Sequence, residues 1–222
     1  DIKKIKNFKS ILFVVLILSF FLRVWDLGYS EFYGDETKTF YLDKTTPAYE
    51  FFLDQRKGPV QFGAVWFMEK LTGGFDEFYT RVPFALAGVL SVFALFLVVQ
   101  KLSNDKTALI ASILFGLNGF FIAFSRTIQY QSFLILFGLL AVYYALLYQE
   151  TKDKSRLKYS LISAVFLSLS YLSHYDAVFF DIVIGLILIK VIYDKKENLK
   201  EIIKEILIYY ILPVVVLVGA FY

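Results

Sequence analysis

The chain has no cysteine and only one histidine among its 222 residues. The first absence excludes disulfides, thiolate nucleophiles and cysteine metal sites, and the second excludes a metal centre built from several histidines. Any metal would therefore need oxygen ligands. The sequence also lacks the motifs G-x-G-x-x-G, the P-loop, H-E-x-x-H and G-x-S-x-G, which carry chemistry in many soluble enzymes.

Charge is scarce as well, because only 19% of the residues are charged whereas 58% are hydrophobic. A soluble domain carries about 25% charged residues and less apolar mass. The net charge of +3 is small, and the lysines and arginines are dispersed among short loops, so we expect no nucleic-acid partner. The composition predicts a membrane protein.

Long apolar runs account for this hydrophobic content, and each is close to the roughly 17–25 residues that a helix needs to cross a bilayer. They predict an all-α membrane protein with about seven transmembrane helices. The segment 59–71 would reach only about 20 Å as a helix, so we expect it to lie along the interface. The seven runs cover residues 11–27, 82–100, 107–124, 128–148, 159–173, 177–193 and 206–222.

The basic residues predict the orientation of these helices. With the amino terminus inside, the inner segments hold 15 of the 23 lysines and arginines, as the positive-inside rule requires. We therefore expect a multi-pass protein of the cell membrane, plasma or inner, with a cytoplasmic amino terminus. The first run resembles a signal peptide, but Arg23, Trp25 and Asp26 stand where a cleavage site would be, which favours a retained anchor.

One long loop, about residues 28–81, then lies on the outer side. Pro47 and the Gly58–Pro59 turn divide it into short amphipathic pieces, which we expect to form short interfacial helices. No internal repeat or flexible linker is visible, so residues 1–222 are predicted to form one transmembrane module. Since the sequence stops inside an apolar run at Tyr222, we expect this module to be truncated at its carboxyl end.

The conspicuous polar residues fall near the ends of the apolar runs, on the predicted outer side. A charged side chain in the middle of a span costs roughly 2.5–3.5 kcal/mol, so such residues tend to face a cavity or a partner. Taken singly, each has a plainer explanation as a headgroup anchor, a helix cap or a structural hydrogen-bonding group. Because all fall on one side, we predict a polar cavity that opens outward. Its candidate members are Asp35, Glu36, Lys57, Arg81, Arg126, Gln129, Tyr130, Gln131, His174, Tyr175 and Asp176.

Four short motifs occur in an order that resembles a known family: GDE at 34–36, KGP at 57–59, RVPFALAGVLSV at 81–92, and a span ending in Ser125–Arg126. This order is similar to that of the membrane-embedded C-type glycosyltransferases, in particular the superfamily of protein O-mannosyltransferases and the lipid A aminoarabinose transferase. The stretch 81–92 is close to the R-x-P-x-A-L-A-G signature of that family. The other motifs are short.

The resemblance implies an inverting hexosyl- or pentosyltransferase, which transfers a sugar from a polyprenyl-phosphate carrier to an acceptor hydroxyl of a protein, lipid or glycan. The hydroxyl must lose its proton as the bond forms, and Asp35 is the candidate base. Glu36 is expected either to orient Asp35 or to hold, together with Asp35, a divalent metal such as Mg²⁺ or Mn²⁺ through oxygen ligands.

The departing phosphate gains negative charge, so the resemblance also implies cations placed beside it. Two positions depart from the family pattern: Gln131 stands where many relatives have an aspartate, and His174 where some present a lysine. The candidates for binding the donor phosphate are Lys57, Arg126, His174 and Arg81, of which Arg81 is also a candidate for a purely structural role. The candidates for the remaining cavity wall are Tyr130, Gln131 and Tyr175.

Two other classes of function stay open. A transporter or flippase-like protein would bind a lipid-linked solute without altering it, but inverted repeats with matching broken helices are expected there, and the sequence shows neither. An inactive relative would serve as a non-catalytic membrane subunit. Replacement of Asp35 by asparagine separates these classes, because only an enzyme must lose its activity.

Overall fold

The computed structural model describes residues 2–55, 58–194 and 198–222, with side chains from residue 8 onward. The described residues form eleven α-helices and no strand, which confirms the all-α prediction. The helices are α1 (Ile2–Val24), α2 (Ala48–Leu53), α3 (Val60–Thr72), α4 (Glu77–Leu102), α5 (Asp105–Gly116), α6 (Gly119–Ser125), α7 (Gln131–Glu150), α8 (Arg156–Tyr171), α9 (Val178–Asp194), α10 (Leu199–Ile206) and α11 (Leu212–Gly219).

Three helices of the described chain are long and apolar enough to cross a membrane: α4, α7 and the continuous helix Leu199–Gly219. Helices α5 and α6 provide a fourth if the pair counts as one span, bent by 62°. Helices α8 and α9 occupy two further predicted runs, but they have only 16 and 17 residues. The membrane class is confirmed, whereas the count of seven spans and the interfacial position of α2 and α3 stay predictions.

Asparagine and aspartate side chains fix where several helices begin. The Asp76 carboxylate accepts a hydrogen bond from the N–H of Tyr79 at 2.9 Å and starts α4. Asn104 caps α5 in the same way at 3.0 Å. After α5 ends, Asn118 accepts from the N–H of Phe120 at 3.0 Å and starts α6 in a new direction. Such caps satisfy N–H groups that a helix cannot pair internally, so Asn118 explains the bend inside the predicted run.

Helix α7 is the centre of the bundle and packs on α4, α8 and α9. A Cβ atom at Gly138 would lie only 2.3 Å from the ring of Phe180 in α9, so glycine is needed for this close approach. Ser170 of α8 donates a hydrogen bond to the carbonyl of Leu134 in α7 at 2.9 Å. Small residues and serines of this kind hold membrane helices together, and here they fix one end of α7 against one end of α8.

The segment between α1 and α4 folds over that same end, where α1 and α8 end and α4, α7 and α9 begin. We call this the loop end of the bundle. Phe40 stacks on Phe75 with their ring centroids 4.2 Å apart. Both rings pack on a small core formed by Val65 of α3, Phe84 of α4 and Ile128 of the α6–α7 turn. This core attaches the loop to the helices.

The connection between α2 and α3 is also held at the loop end. Gly58 has a φ of +109°, and a Cβ atom there would lie 2.2 Å from the carbonyl oxygen of Leu172. The N–H of Val60 donates to the same oxygen at 3.1 Å. Only glycine tolerates both the backbone conformation and the approach. The loop therefore reaches the end of α8, two residues before His174.

Candidate active site

A cavity of about 470 Å³ lies at the loop end, between the first loop and the end of α6. We call it the Asp35 cavity. Its volume falls within the range of small-molecule sites, roughly 300–1,000 Å³. Its walls combine loop residues Tyr33, Gly34, Asp35 and Glu36 with Ala123, Phe124, Thr127 and Gln129. The structure thus brings Asp35 close to the turn that follows Arg126, whereas the role of these residues in a site stays a prediction.

Asp35 is half exposed and has a cation beside it. Its Oδ1 lies 2.5 Å from the Nζ of Lys38, which is 74% exposed. An ion pair this open to solvent contributes only about 0–1 kcal/mol, so Lys38 can leave Asp35 at little cost. Lys38 was missed in the sequence analysis, although it lies three residues after Asp35, and the short 3-10 turn Thr37–Thr39 brings its side chain back to that carboxylate.

Glu36 has the opposite environment, since it is only 1% exposed. Its Oε1 accepts from Arg81 Nε at 2.9 Å and from the N–H of Ile128 at 3.0 Å. Its Oε2 accepts from Arg81 Nη2 at 2.9 Å and from the N–H of Tyr33 at 3.4 Å. A carboxylate has about four lone-pair positions, and all four are occupied. Glu36 thus ties the loop to α4 and to the α6–α7 turn.

Arg81 is equally saturated and is fully buried. Two of its N–H groups bind Glu36 in a bidentate pair. The other three donate to backbone carbonyls of the loop, those of Leu27 at 3.1 Å, Ser30 at 3.0 Å and Glu31 at 3.3 Å. A guanidinium has five N–H groups, so none is left for a donor phosphate. The geometry corresponds to the structural role that the sequence analysis left open for Arg81.

The saturation of Glu36 also bears on the metal expected at the acidic pair. Among the described residues, no three or more His, Asp or Glu side chains are grouped so that they could hold a metal ion. Glu36 has no lone pair left for a ligand bond, and Asp35 is paired with Lys38. The Asp35–Glu36 pair therefore does not fit a metal bound by both carboxylates.

Arg126 holds the end of α1. Its Nη1 donates to the carbonyls of Leu22 at 3.1 Å and Trp25 at 2.7 Å, and its Nη2 donates to that of Asp26 at 3.0 Å. Leu22 lies in the last turn of α1, and Trp25 and Asp26 lie in the turn that follows it. A cation is favourable at this end of a helix. The bonds use three of the five N–H groups, and the half-buried side chain keeps Nε–H and one Nη2–H outside them.

His174 lies between two aromatic rings. Its ring centroid is 3.8 Å from that of Tyr130, with the planes nearly parallel, and 3.8 Å from that of Tyr175. Its Nδ1 is 3.0 Å from the Asp176 carboxylate, and the residue is 3% exposed. The structure thus joins three predicted site residues into one stack, which continues the α6–α7 turn beyond Gln129 but does not line the Asp35 cavity.

The remaining two predicted residues are Lys57 and Gln131. Lys57 falls outside the described residues, although its neighbour Gly58 contacts Leu172 at the loop end. Gln131 does not line the Asp35 cavity either, because it faces a separate small cavity beside Arg23. That arginine belongs to α1 and was considered in the sequence analysis only in relation to a cleavage site. Asp181 of α9 was also missed; it accepts a hydrogen bond from Tyr171 at 3.2 Å, and its signal was a lone acid within an apolar run.

Comparison with known proteins identifies the chain at the level of family. A family model described as dolichyl-phosphate-mannose-protein mannosyltransferase matches residues 56–220. The match includes Arg81, Arg126 and His174, whereas Asp35 and Glu36 precede it. No significant match was found among curated proteins or among solved structures. Since the family model covers most of the sequence, the chain belongs to the dolichyl-phosphate-mannose-protein mannosyltransferase family, a family of membrane glycosyltransferases.

Proposed function

We propose that the protein transfers a sugar from a polyprenyl-phosphate carrier to an acceptor hydroxyl at the outer face of the cell membrane, with inversion at the anomeric carbon. The observation that carries this proposal is the Asp35 cavity, in which a solvent-accessible carboxylate faces the turn between α6 and α7. The family membership supports a mannosyl donor and a protein acceptor as the first substrates to test.

Asp35 is the proposed general base. It is the half-exposed carboxylate of the acidic pair, and its ion pair is with an exposed lysine. The acceptor hydroxyl would donate its proton to Asp35 while its oxygen bonds to the anomeric carbon and the bond from that carbon to the carrier phosphate breaks. Such proton transfer contributes roughly 10²–10⁴-fold to a rate.

Glu36 and Arg81 are proposed as positioning residues rather than as groups that touch the substrate. Their bidentate pair fixes the backbone at 27–36, and the bond from Ile128 N–H to Glu36 sets the distance between the two walls of the cavity. Displacing these walls by even about 1 Å would weaken the alignment of hydroxyl and donor that catalysis requires.

The growing charge on the carrier phosphate requires cations near the cavity. Arg126 precedes the wall residue Thr127 and keeps two N–H groups outside its bonds to α1. Lys38 is the second candidate, since a phosphate would compete with Asp35 for its ammonium and would thereby release the base. Lys57 and His174 remain proposed as further groups that bind the donor phosphate. Stabilising this charge lowers the barrier more than it strengthens ground-state binding.

The variant Asp35→Asn tests the proposal. The wild-type and variant proteins, purified in full-length form, would be assayed with dolichyl- or polyprenyl-phosphate mannose and an acceptor for release of the carrier phosphate. We expect the transfer rate to fall by roughly 10²–10⁴-fold, with donor binding and melting temperature unchanged because the side chain keeps its shape and is half exposed.

The matched control is Asp54→Asn, the same substitution in an exposed residue of the same loop that does not line the Asp35 cavity. It should transfer at the wild-type rate. If Asp35→Asn also transfers at that rate, Asp35 is not the base. If the wild-type protein binds the donor but never releases the carrier phosphate, a transporter or a non-catalytic subunit is the better description.

A further inference from the structure

Arg23 near the end of α1 is fully buried but has no acidic partner among the described residues. Its Nη1 donates to the Ser19 hydroxyl at 2.6 Å, to the Ser19 carbonyl at 3.2 Å and to the Gly116 carbonyl at 3.0 Å. All three acceptors are neutral. A buried charge without a counter-charge is expensive in a low-dielectric interior, so the charge of Arg23 is only partly compensated.

The other two nitrogen atoms of Arg23, Nε and Nη2, are buried and bind no group of the described chain. They line a cavity of about 10 Å³, which we call the Arg23 cavity, at the junction of α1, α4, α6 and α7. Two further lining residues, Gln131 and Ser132, each have a buried oxygen atom that is also unpaired within the described residues. Three of the side chains that line this small space therefore carry unpaired polar atoms.

The unpaired groups are mostly donors. Arg23 contributes three N–H groups and Ser132 one O–H, whereas Gln131 contributes one acceptor oxygen. The orientation of a glutamine amide is an assignment, and rotating it by 180° replaces this oxygen with an NH₂ group. A water molecule accepts only two hydrogen bonds and would leave at least two donors unpaired. A monatomic anion can accept from Nε–H, from the Nη2–H on the same edge of the guanidinium and from the Ser132 O–H. It also supplies the missing charge, which water does not.

The size of the cavity restricts the guest. About 10 Å³ leaves room for one small particle, so chloride or bromide, which are somewhat larger than water, would require the lining side chains to move slightly. Phosphate, sulfate and a sugar phosphate are excluded. Gly88 of α4 forms part of the wall, and a Cβ atom there would lie 3.0 Å from Arg23 Nε and 2.5 Å from Ser125 Cβ. The site also faces the first turn of α7, to which Gln131 and Ser132 belong, and the positive end of a helix dipole favours an anion.

We propose that the Arg23 cavity binds one monatomic anion of the chloride type, which neutralises Arg23 and joins α1, α4, α6 and α7. The site is separate from the Asp35 cavity and is too small for the donor phosphate. Its role is to stabilise the helix junction behind the α6–α7 turn. The proposal does not depend on the transfer reaction.

The first test is thermal unfolding of the full chain at constant sodium concentration, with chloride or bromide replaced by gluconate, an anion too large for the cavity. A ligand that binds only the folded state raises the melting temperature as its concentration passes its dissociation constant. We expect a saturable rise of about 3 °C in chloride and bromide relative to gluconate. We also expect one bromide in the cavity by anomalous scattering from crystals.

The variant Gln131→Glu makes the test specific. It has the shape of the wild-type side chain but carries its own negative charge beside Arg23, so it should replace the anion. We expect its melting temperature to be the same in chloride and gluconate. The matched control is Gln149→Glu, the same substitution near the other end of α7, which should keep the wild-type response to chloride.

Three results would overturn the proposal. The wild type could melt at the same temperature in all three salts, or the chloride effect could be equal in Gln131→Glu and wild type, which would indicate a general salt effect. Bromide could also be absent from the cavity while a water molecule is found there.

Discussion

Arg81 and Arg23 are both inaccessible to solvent, but their surroundings differ in every other respect. Arg81 binds a carboxylate in a bidentate pair and uses all five of its N–H groups on protein acceptors. Arg23 binds neutral acceptors through one nitrogen, and its other two nitrogen atoms face a cavity. Burial of a charge does not by itself indicate a function. The hydrogen-bond partners of a buried arginine indicate whether it stabilises the fold or can bind a ligand.

The same contrast separates the two members of the acidic pair. Glu36 is saturated by the fold, whereas Asp35 is half exposed and forms an ion pair with the exposed Lys38. A buried ion pair is weak evidence of net stabilisation, but the loss of one partner is costly because the other charge stays buried. We therefore expect substitutions to lower stability in a graded series, most for the buried Glu36 and least for the exposed Lys38.

The largest effect is expected for Glu36→Gln. The variant leaves the Arg81 guanidinium buried without a counter-charge, which should lower the free energy of unfolding by about 3–5 kcal/mol. Thermal unfolding in detergent, together with the yield of folded protein, would measure it. The control is Glu31→Gln in the same loop, whose side chain is exposed and which should melt close to the wild type.

A double-mutant cycle sharpens this prediction. Arg81→Met combined with Glu36→Gln removes both charges, and the double variant should be more stable than the sum of the single effects indicates, because neither charge is left alone. If Glu36→Gln melts at the same temperature as the wild type, the Glu36–Arg81 pair does not stabilise the loop.

The next effect concerns the wall of the Arg23 cavity. Gly88→Ala places a Cβ atom 2.5 Å from Ser125 Cβ and 3.0 Å from Arg23 Nε, so α4 and α6 must move apart. We expect a loss of about 1–3 kcal/mol in the free energy of unfolding. Gly63→Ala in α3 is the matched control, since its added Cβ atom meets nothing within 4 Å. It should be neutral or stabilising by up to about 1 kcal/mol. Equal melting temperatures for the two variants would contradict the close packing at Gly88.

A smaller effect is expected for Arg126, because it is half buried and binds three carbonyls at the end of α1. Arg126→Met should cost about 1 kcal/mol of stability through the lost cap and dipole interaction. It should also raise the KM for the donor if the remaining N–H groups bind phosphate. A change in stability with an unaltered KM and kcat would restrict Arg126 to its structural role.

The smallest effect on stability is expected for Lys38→Met. The pair with Asp35 is exposed and should contribute about 0–1 kcal/mol, so the melting temperature should hardly change. A role for Lys38 in phosphate binding predicts a higher KM for the donor in the same variant. A large fall in melting temperature would show instead that Lys38, like Glu36, stabilises the fold.

The sequence allowed the helical class and the proximity of Asp35 to the α6–α7 turn to be predicted, because both follow from the long apolar runs and from the side of the membrane on which each loop is expected. It assigned the base to Asp35 and an orienting or metal-binding role to Glu36, but it did not predict that Glu36 is buried against Arg81 while Asp35 stays exposed. The two are adjacent in a short helical turn, where each residue advances by about a third of a turn, so one side chain points to the cavity and the next to the core. The position of Arg81 in the fold shows that Glu36 is the side chain that points to the core.

The bend at Asn118 and the Arg23 cavity were missed for a related reason. The run 107–124 is continuous in hydropathy, and a single capping amide within it is a weak signal beside many apolar residues. Arg23 follows an apolar run as a headgroup anchor would, and its burial depends on Gly88 and Ser125, which are distant in sequence. The bend at Asn118 and the Arg23 cavity both depend on tertiary packing, which hydropathy along the sequence does not describe.

The most direct measurement of the central claim is the side of the membrane that the Asp35 cavity faces. The chain has no cysteine, so single-cysteine variants at Tyr33, Gln129 and Ser155 can each be labelled at one position with a membrane-impermeant maleimide. The account predicts that positions 33 and 129 react in intact cells, and that position 155, in the loop between α7 and α8, reacts only after permeabilisation. Reaction of positions 33 and 129 from opposite sides, or of both only after permeabilisation, would contradict it.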